Sequence, residues 1–346
     1  MFLICYGTRP ELIKLFPIIN QFKSKNIPYK TLFTGQHEDL IKEFSNLVDP
    51  PDISLQNIME HGQSINSLTG KILNAVDKES VDKNFKIIVQ GDSQTSFTMA
   101  LYGFNNENDV IHIEAGLRTN NLKSPFPEEA NRVMTSHISY MHFCQTKQAV
   151  KNLNKENIFE NIYLVGNTVV DSFNLIIENS SISKSTEALI KDNSNYLLVT
   201  LHRRENRNQN FEKMWSQLNK ISKSQKIIYI KHPSVKESGN FLGENIKLID
   251  PVNYQDMLHL VNNSGGIISD SGGLQEEVVC ANKKILICRD TTERPETIDS
   301  GFGKLVNTEI EDNLNFLFEK NDQIEENPYG TNVSKKITSI LENEYS

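Results

Sequence analysis

Residues 265–277 read Gly-Gly-Ile-Ile-Ser-Asp-Ser-Gly-Gly-Leu-Gln-Glu-Glu. The apolar pair Ile267 and Ile268 predicts a short buried strand, residues 269–273 a tight turn, and Leu274 the opening of a helix. Glycine at the turn removes the Cβ that would hold a ligand away from the backbone. The first amides of a helix have no intrahelical partner and point outward, an arrangement that receives phosphate. Glu276 and Glu277 suit the positive end of the helix dipole, and either offers oxygens to hydroxyl donors. An ordinary capped strand-turn-helix explains the same residues, so the rest of the chain has to decide.

Working outward, the alternation of apolar strand-length runs and helical patterns continues on both sides. Towards the C-terminus it gives strands at 284–288 and 303–306 and a last helix at 333–343. Before the turn it gives strands at 196–200, 226–230 and 246–249, with helices at 211–221 and 254–262. A polar, serine-rich stretch, 178–195, interrupts the pattern and is where a link between two domains is expected. The first half repeats the rhythm. Strands are predicted at 2–6, 29–34, 86–90, 110–113, 141–145 and 162–165, and helices at 11–23, around 39–47, and at 95–104, 128–139, 147–154 and 169–177. This is the βαβ order of an α/β protein with two Rossmann-like, doubly wound parallel sheets, split near 175/176.

Composition narrows the class. A chain of 346 residues exceeds one ordinary core, and 38% hydrophobic with 23% charged residues is the balance of a soluble globular protein. The net charge of −8, without a long basic run, argues against nucleic acid as a partner. Cys5, Cys144, Cys280 and Cys288 have no C-x-x-C spacing and read as free thiols of a reducing, cytoplasmic compartment. The opening Met-Phe-Leu-Ile-Cys-Tyr is too short for a signal core, and no apolar run reaches membrane-spanning length. No His/Cys cluster has metal-ligand spacing, and neither a G-x-G-x-x-G dinucleotide loop after the first strand, a Walker lysine loop nor a G-x-S-x-G elbow is present.

Polar residues collect where parallel sheets place their ligands, beyond the carboxyl ends of the strands. In the first half these are Arg9, Glu11 and Lys14, Gly35-Gln-His37, Gly91-Asp92 and 114–119; in the second, 202–205, 231–233, 270–273 and 289–296. So many endings, with charges of both signs, predict a cleft between two sheets. Arg9 and Lys14 are candidates to face a diphosphate, the alternative being two surface cations. Asp92, Glu114 and Glu128 would crowd three carboxylates at one mouth, where like charges raise one another's pKa; alternatively, Asp92 and Glu114 cap the helices that follow them. Residues 125–127, Pro-Phe-Pro, form a rigid loop before Glu128. His202 is a candidate phosphate partner or proton donor, whereas His112, His137 and His142 read as packing residues.

Ten segments in order closely resemble the non-hydrolysing UDP-N-acetylglucosamine 2-epimerases: GTRPELIKLFP (7–17), TGQH (34–37), GDS (91–93), HIEAGLRT (112–119), PFPEEANR (125–132), GNTVVD (166–171), HRREN (202–206), DSGGLQEE (270–277), RDTTERPE (289–296) and NPYG (327–330). The resemblance implies the GT-B architecture, two Rossmann-like domains facing a central cleft, with the C-terminal helix (331–346) returning to the first domain, and a homodimer. It implies interconversion of UDP-GlcNAc and UDP-ManNAc without a cofactor, by anti-elimination of UDP to a 2-acetamidoglucal and re-addition, to supply ManNAc units for a capsule or other surface polysaccharide. It also implies acid/base roles for Asp92, Glu114 and Glu128, with His202 near the diphosphate. By the same resemblance Arg9, Lys14, Ser271 and Gly272 contact the diphosphate and Glu277 the ribose, and Arg132, Gly273 and Arg294, within the same motifs, contact substrate.

Two departures stand out. Members of the family regulated by a second UDP-GlcNAc carry Q-x-x-x-Q after the TGQH segment, where this chain has Asp39 and Glu43, and an arginine where it has His61-Gly62. Allosteric activation is therefore not expected. A 2-epimerase or hydrolysing epimerase for a related sugar, such as UDP-2,3-diacetamido-glucuronic acid, and a GT-B glycosyltransferase remain the alternatives.

Overall fold

A computed structural model describes residues 1–36, 40–79, 81–201, 209–231, 243–319 and 327–345. The chain divides into two units, Met1–Ser172 with Tyr329–Ser346, and Phe173–Pro328.

The first unit alternates β1 (Phe2–Tyr6), α1 (Arg9–Ser24), β2 (Tyr29–Phe33), α2 (Leu40–Glu43), β3 (Ile53–Ser54), α3 (Ile65–Val76), β4 (Lys86–Gln90) and α4 (Gln94–Asn105). It continues with β5 (Val110–Ala115), α5 (Glu128–Ile138), β6 (Met141–Cys144), α6 (Lys147–Lys155), β7 (Ile162–Leu164) and the start of α7 (Val169–Asn179). The strands form one parallel sheet in the order β3-β2-β1-β4-β5-β6-β7. Helices cover both faces of such a sheet, which is why β1 is buried at every position and reads as a continuous apolar run.

The second unit contains α8 (Lys184–Asp192), β8 (Leu197–Thr200), α9 (Gln209–Ile221), β9 (Ile227–Ile230), β10 (Ile246–Ile249), α10 (Tyr254–Asn263), β11 (Gly266–Ser269) and α11 (Gly272–Cys280). β12 (Ile285–Ile287), α12 (Pro295–Asp299), β13 (Gly303–Leu305) and a 3-10 helix at Glu311–Phe318 complete it. Its parallel sheet runs β10-β9-β8-β11-β12-β13. In both sheets the order reverses once, between β1 and β4 and between β8 and β11, and ligands of doubly wound sheets bind at the carboxyl side of that reversal. The serine-rich stretch is not irregular throughout: α8 is capped by Ser183, whose hydroxyl accepts from Thr186 N at 3.2 Å, and packs on α10.

The last helix, α13 (Val333–Tyr345), packs against α1 of the first unit. Val333, Ile337 and Leu341 are fully buried there, each contributing about 1.5–3 kcal/mol of hydrophobic free energy. Tyr345 meets the edge of Phe2 at 5.7 Å, and Ser334 N donates to Asp171 Oδ2 at 2.5 Å.

Several sequence expectations need correction. The helix expected around 39–47 is the single turn α2, followed by turns. Helix α3 was not anticipated, although Ser64 caps it and Leu68, Ile72 and Val76 recur at its buried face. α11 begins at Gly272, two residues before the expected Leu274. His112 and His142 are buried as expected, but His137 is half-exposed, 3.9 Å from Glu156, and does not pack. All four cysteines are free, with Cys280 less buried than the others. Among the described residues no helix is long and apolar enough to cross a membrane.

Candidate functional site

At the reversal of the first sheet, the loop after β1 starts α1 with Arg9 exposed at its first position. Two residues on, Glu11 is 2% exposed. Its Oε2 accepts from Gly7 N at 3.0 Å, Thr8 N at 2.7 Å and Thr8 Oγ1 at 2.8 Å, and its Oε1 from Ser93 Oγ at 2.6 Å. Ser93 also caps α4, so one carboxylate ties the Arg9 loop to the loop that carries Asp92. Burial pushes the Glu11 carboxyl up to about 7, and the four donors oppose that rise.

Asp92 does not cap α4; Ser93 does. The Asp92 Oδ2 instead accepts from Arg132 Nε at 2.8 Å and Nη2 at 2.5 Å, and Asn131 Nδ2 donates to its main-chain oxygen at 3.0 Å. Arg132 reaches Glu129 with Nη1 at 2.9 Å, and the other Glu129 oxygen accepts the amides of Thr119 and Asn120 at 2.7 and 2.8 Å. Glu129, adjacent to the predicted Glu128, was not anticipated. Two neighbouring acids at a helix start look alike in sequence, yet here one is 1% exposed and fixes the 119–120 loop, while Glu128, the first residue of α5, is half-buried.

Glu114 does not cap a helix either. It is the penultimate residue of β5, at a shift in the β5–β6 register, with φ +67°. Apart from Glu107, every other described non-glycine residue with positive φ is an asparagine, the residue that tolerates this region best. A glutamate there is held by its surroundings. Lys14 Nζ contacts its Oε1 at 2.5 Å, both side chains being 10% exposed, and Gln90 Nε2 donates to its Oε2. Asp92 and Glu114 are thus each opposed by a cation, and Lys14 is turned to a carboxylate of its own unit. His112 Nε2 lies 2.9 Å from Gly91 O behind these residues, and burial holds its imidazole down to about 3.

At the reversal of the second sheet the chemistry is of another kind. Thr200 and Ser269 hydroxyls meet at 2.6 Å, and Ser269 Oγ accepts Ser271 N at 3.0 Å, which shapes the turn after β11. Ser271 occupies the N-cap of α11 without a side-chain cap bond, leaving the first amides of α11 as orphan donors. A Cβ at Gly273 would meet nothing within 4 Å, whereas one at Gly272 would lie 2.9 Å from Arg294 Nη1. Glu276 and Glu277 separate in role. Glu276, fully buried, takes Arg294 Nε at 2.9 Å, while Arg294 Nη1 reaches Glu293 at 2.9 Å. Arg294 therefore braces the start of α11 from behind Gly272. Glu277 Oε1 accepts from Tyr254 Oη at 2.9 Å, a partner on α10 that no motif marked; burial pushes the Tyr254 phenol upward. His202, with His37, Asp39 and residues 232–233, lies outside the described residues.

Comparison with known proteins agrees with this organisation. The family model described as UDP-N-acetylglucosamine 2-epimerase matches residues 20–342. The chain is 38% identical to the UDP-N-acetylglucosamine 2-epimerase of Salmonella borreze, over 97% of this chain and 96% of that protein. It is 37% identical to that of Neisseria meningitidis serogroup A, over 98% of each. The crystal structure of the Neisseria meningitidis UDP-GlcNAc 2-epimerase bound to UDP-GlcNAc matches with a TM-score of 0.86 at 33% identity, covering 99% of each chain. That of the Methanocaldococcus jannaschii enzyme in complex with UDP-GlcNAc and UDP gives 0.83 at 33% identity, covering 99% of this chain and all of the other. A glycosyltransferase only 8% identical matches at 0.58, a likeness of fold alone that fits the GT-B class of two Rossmann-like parallel-sheet domains. The chain belongs to the UDP-N-acetylglucosamine 2-epimerase family and is, with that family, an isomerase of nucleotide sugars.

Proposed function

We propose that the chain is a non-hydrolysing UDP-GlcNAc 2-epimerase that interconverts UDP-GlcNAc and UDP-ManNAc, needs no cofactor, and works by elimination and re-addition of UDP. The observation that carries this reading is Glu114, a glutamate kept in a left-handed backbone conformation at the end of β5 between Lys14 and Gln90. A fold retains such a residue where its carboxylate has to stand in one place.

The C2 hydrogen of the sugar has no adjacent carbonyl, so removing it alone would leave an unstabilised carbanion. Coupling its loss to departure of UDP avoids that. The base takes the C2 proton, the C–H electrons form the C1=C2 bond, and the C1–O bond breaks with its pair leaving on the diphosphate. Return reverses these steps, with the proton delivered to the opposite face of C2 and the diphosphate oxygen bonding to C1. Two faces call for carboxyl groups that hold and release a proton, and Asp92, Glu114 and the half-buried Glu128 are the candidates. Arg132 and Lys14 hold the first two in place. In the second unit, Ser271, the amides of Gly272 and Gly273, and Glu277 are assigned to the UDP moiety, Arg294 acting through Gly272. Arg9, exposed at a helix start, is assigned to the charge that develops on departing UDP, and His202 to the same diphosphate.

The test is incubation with UDP-GlcNAc in D₂O, followed by proton NMR. UDP-ManNAc carrying deuterium at C2 is expected. Free ManNAc with UDP would make the enzyme a hydrolysing one, and an inert UDP-GlcNAc would move the substrate to another UDP-sugar. A cytoplasmic homodimer feeding surface-polysaccharide synthesis completes the proposal.

A further inference from the structure

Asp92 is held by a side chain that is itself held. Arg132 directs Nε and Nη2 to Asp92 Oδ2 and Nη1 to Glu129 Oε2, the last at 2.9 Å. The two acids differ in setting: the Asp92 side chain is 32% exposed and that of Glu129 only 1%. A carboxylate taken out of water requires a cation and donors around its oxygens. Glu129 has both, Arg132 on one oxygen and, on the other, the amides of Thr119 and Asn120 at 2.7 and 2.8 Å. Two main-chain donors on a charged acceptor make strong bonds, and they fix where the remaining Glu129 oxygen stands. A guanidinium is planar and rigid. Seating Nη1 therefore sets the plane of the whole fork, and with it the direction in which Nε and Nη2 point.

We infer that Glu129 is a positioning residue for the proposed reaction, acting on Asp92 through Arg132; the inference rests on the epimerase reading, in which Asp92 is a candidate for proton transfer at C2. Asn131, on the same helix, donates to the Asp92 main-chain oxygen at 3.0 Å, so both the backbone and the carboxylate of Asp92 take their places from α5. The oxygen of Glu129 that accepts from Thr119 and Asn120 ties the loop after β5 to the start of the same helix, which Glu128 opens. Tying that loop alone would be a structural role; the bond to the guanidinium adds the positional one. A reacting group misplaced by about 1 Å loses about 10²-fold in rate, so the anchor of the fork bears on turnover without touching substrate.

The experiment is a double-mutant cycle on the whole protein, with kcat measured on UDP-GlcNAc and the Kd for UDP by calorimetry. Glu129→Gln keeps a carbonyl oxygen for the two loop amides but turns an NH2 group towards Arg132, so the loop stays tied while the guanidinium loses its acceptor. It should lower kcat about 10–100-fold and change the Kd for UDP by no more than about twofold. In an Arg132→Ala background the same substitution should lower kcat less than about threefold, because the group it acts through is gone. Near-parental kcat in Glu129→Gln, or the full loss repeated in the Arg132→Ala background, would overturn the inference. A crystal structure of Glu129→Gln reads the same point without turnover: a guanidinium rotated from its parental plane, with the Asp92 carboxylate shifted, is expected, and an unchanged Asp92–Arg132 pair would overturn the role. A parent inert towards UDP-GlcNAc would count against the epimerase reading instead, and the crystal structure would still decide whether Glu129 positions Asp92.

Discussion

The two sheets reverse their order in the same way, yet the residues at the two reversals do different things. At the first, side chains dominate. Carboxylates face cations, Asp92 against Arg132 and Glu114 against Lys14, and a glutamate is kept at positive φ. At the second, backbone dominates: a turn shaped by Ser269, a helix start built on two glycines, and charges such as Glu276 and Arg294 turned inward to brace it. Charged groups fixed against counter-charges suit proton transfer, whereas an open helix start suits holding an anion. On the proposed reading one topology serves reaction in the first unit and recognition in the second, and mutations should separate the two.

The largest effect is expected at the first reversal. Asp92→Asn and Glu114→Gln should each lower kcat by about 10²–10⁴, the usual worth of a positioned acid or base, while changing the Kd for UDP by no more than about twofold. Steady-state kinetics beside calorimetry would read both. Near-normal turnover in either variant removes that residue from the chemistry, and a matching loss of UDP binding would erase the division of labour.

At the second reversal the two glycines should behave differently. A methyl group at Gly273 enters open space, so Gly273→Ala should leave the fold intact and raise the Kd for UDP about tenfold, near 1.4 kcal/mol, with kcat at saturation preserved. At Gly272 the methyl group would press on the Arg294–Glu293 pair, so Gly272→Ala should cost about 1–3 kcal/mol of stability, seen as a lower melting temperature. If both substitutions proved equally harmless to UDP binding, the helix start would not be the anion site.

Much of this organisation was legible in sequence because parallel-sheet strands are buried on both faces and read as unbroken apolar runs, as Ile87–Val89 within β4 does. Helix α3 was missed because Gly70 and scattered polar residues dilute its pattern, although Ser64 and the four-residue spacing of Leu68, Ile72 and Val76 were there to be read. α11 starts at Gly272 against glycine's weak helix propensity, a start supported by Arg294 packing behind it. The motifs marked where polar residues gather but not their partners. Lys14 and Glu114 are 100 residues apart and Asp92 and Arg132 are 40 apart, and nothing local records that the βαβ winding brings them together. Tyr254 gave no signal, since a tyrosine at the first position of a helix has many uses.

The smallest effects concern the buried groups behind the first reversal. His112 has its folded-state pKa lowered to about 3, so between about 3 and 6.5 the unfolded chain binds a proton that the folded chain refuses. Its contribution therefore lowers stability as pH falls through that window, by up to about 1.4 kcal/mol per pH unit. Glu11 works in the other direction. Its folded-state pKa is raised to about 7 from 4.5, so the folded chain holds a proton that the unfolded one has released, and its contribution raises stability as pH falls from 7 to 4.5. Over the shared range, about 4.5 to 6.5, the two slopes oppose each other. Chemical denaturation at several pH values should show His112→Gln gaining stability on acidification relative to the parent, and Glu11→Gln losing it. Glu11→Gln should also be destabilised near neutral pH by about 1–3 kcal/mol, because an amide replaces one of the oxygens that four donors address. Parallel pH profiles for both variants and the parent would show that these groups are not buried as described, and that the loops carrying Arg9 and Asp92 are joined by something other than the Glu11 carboxylate.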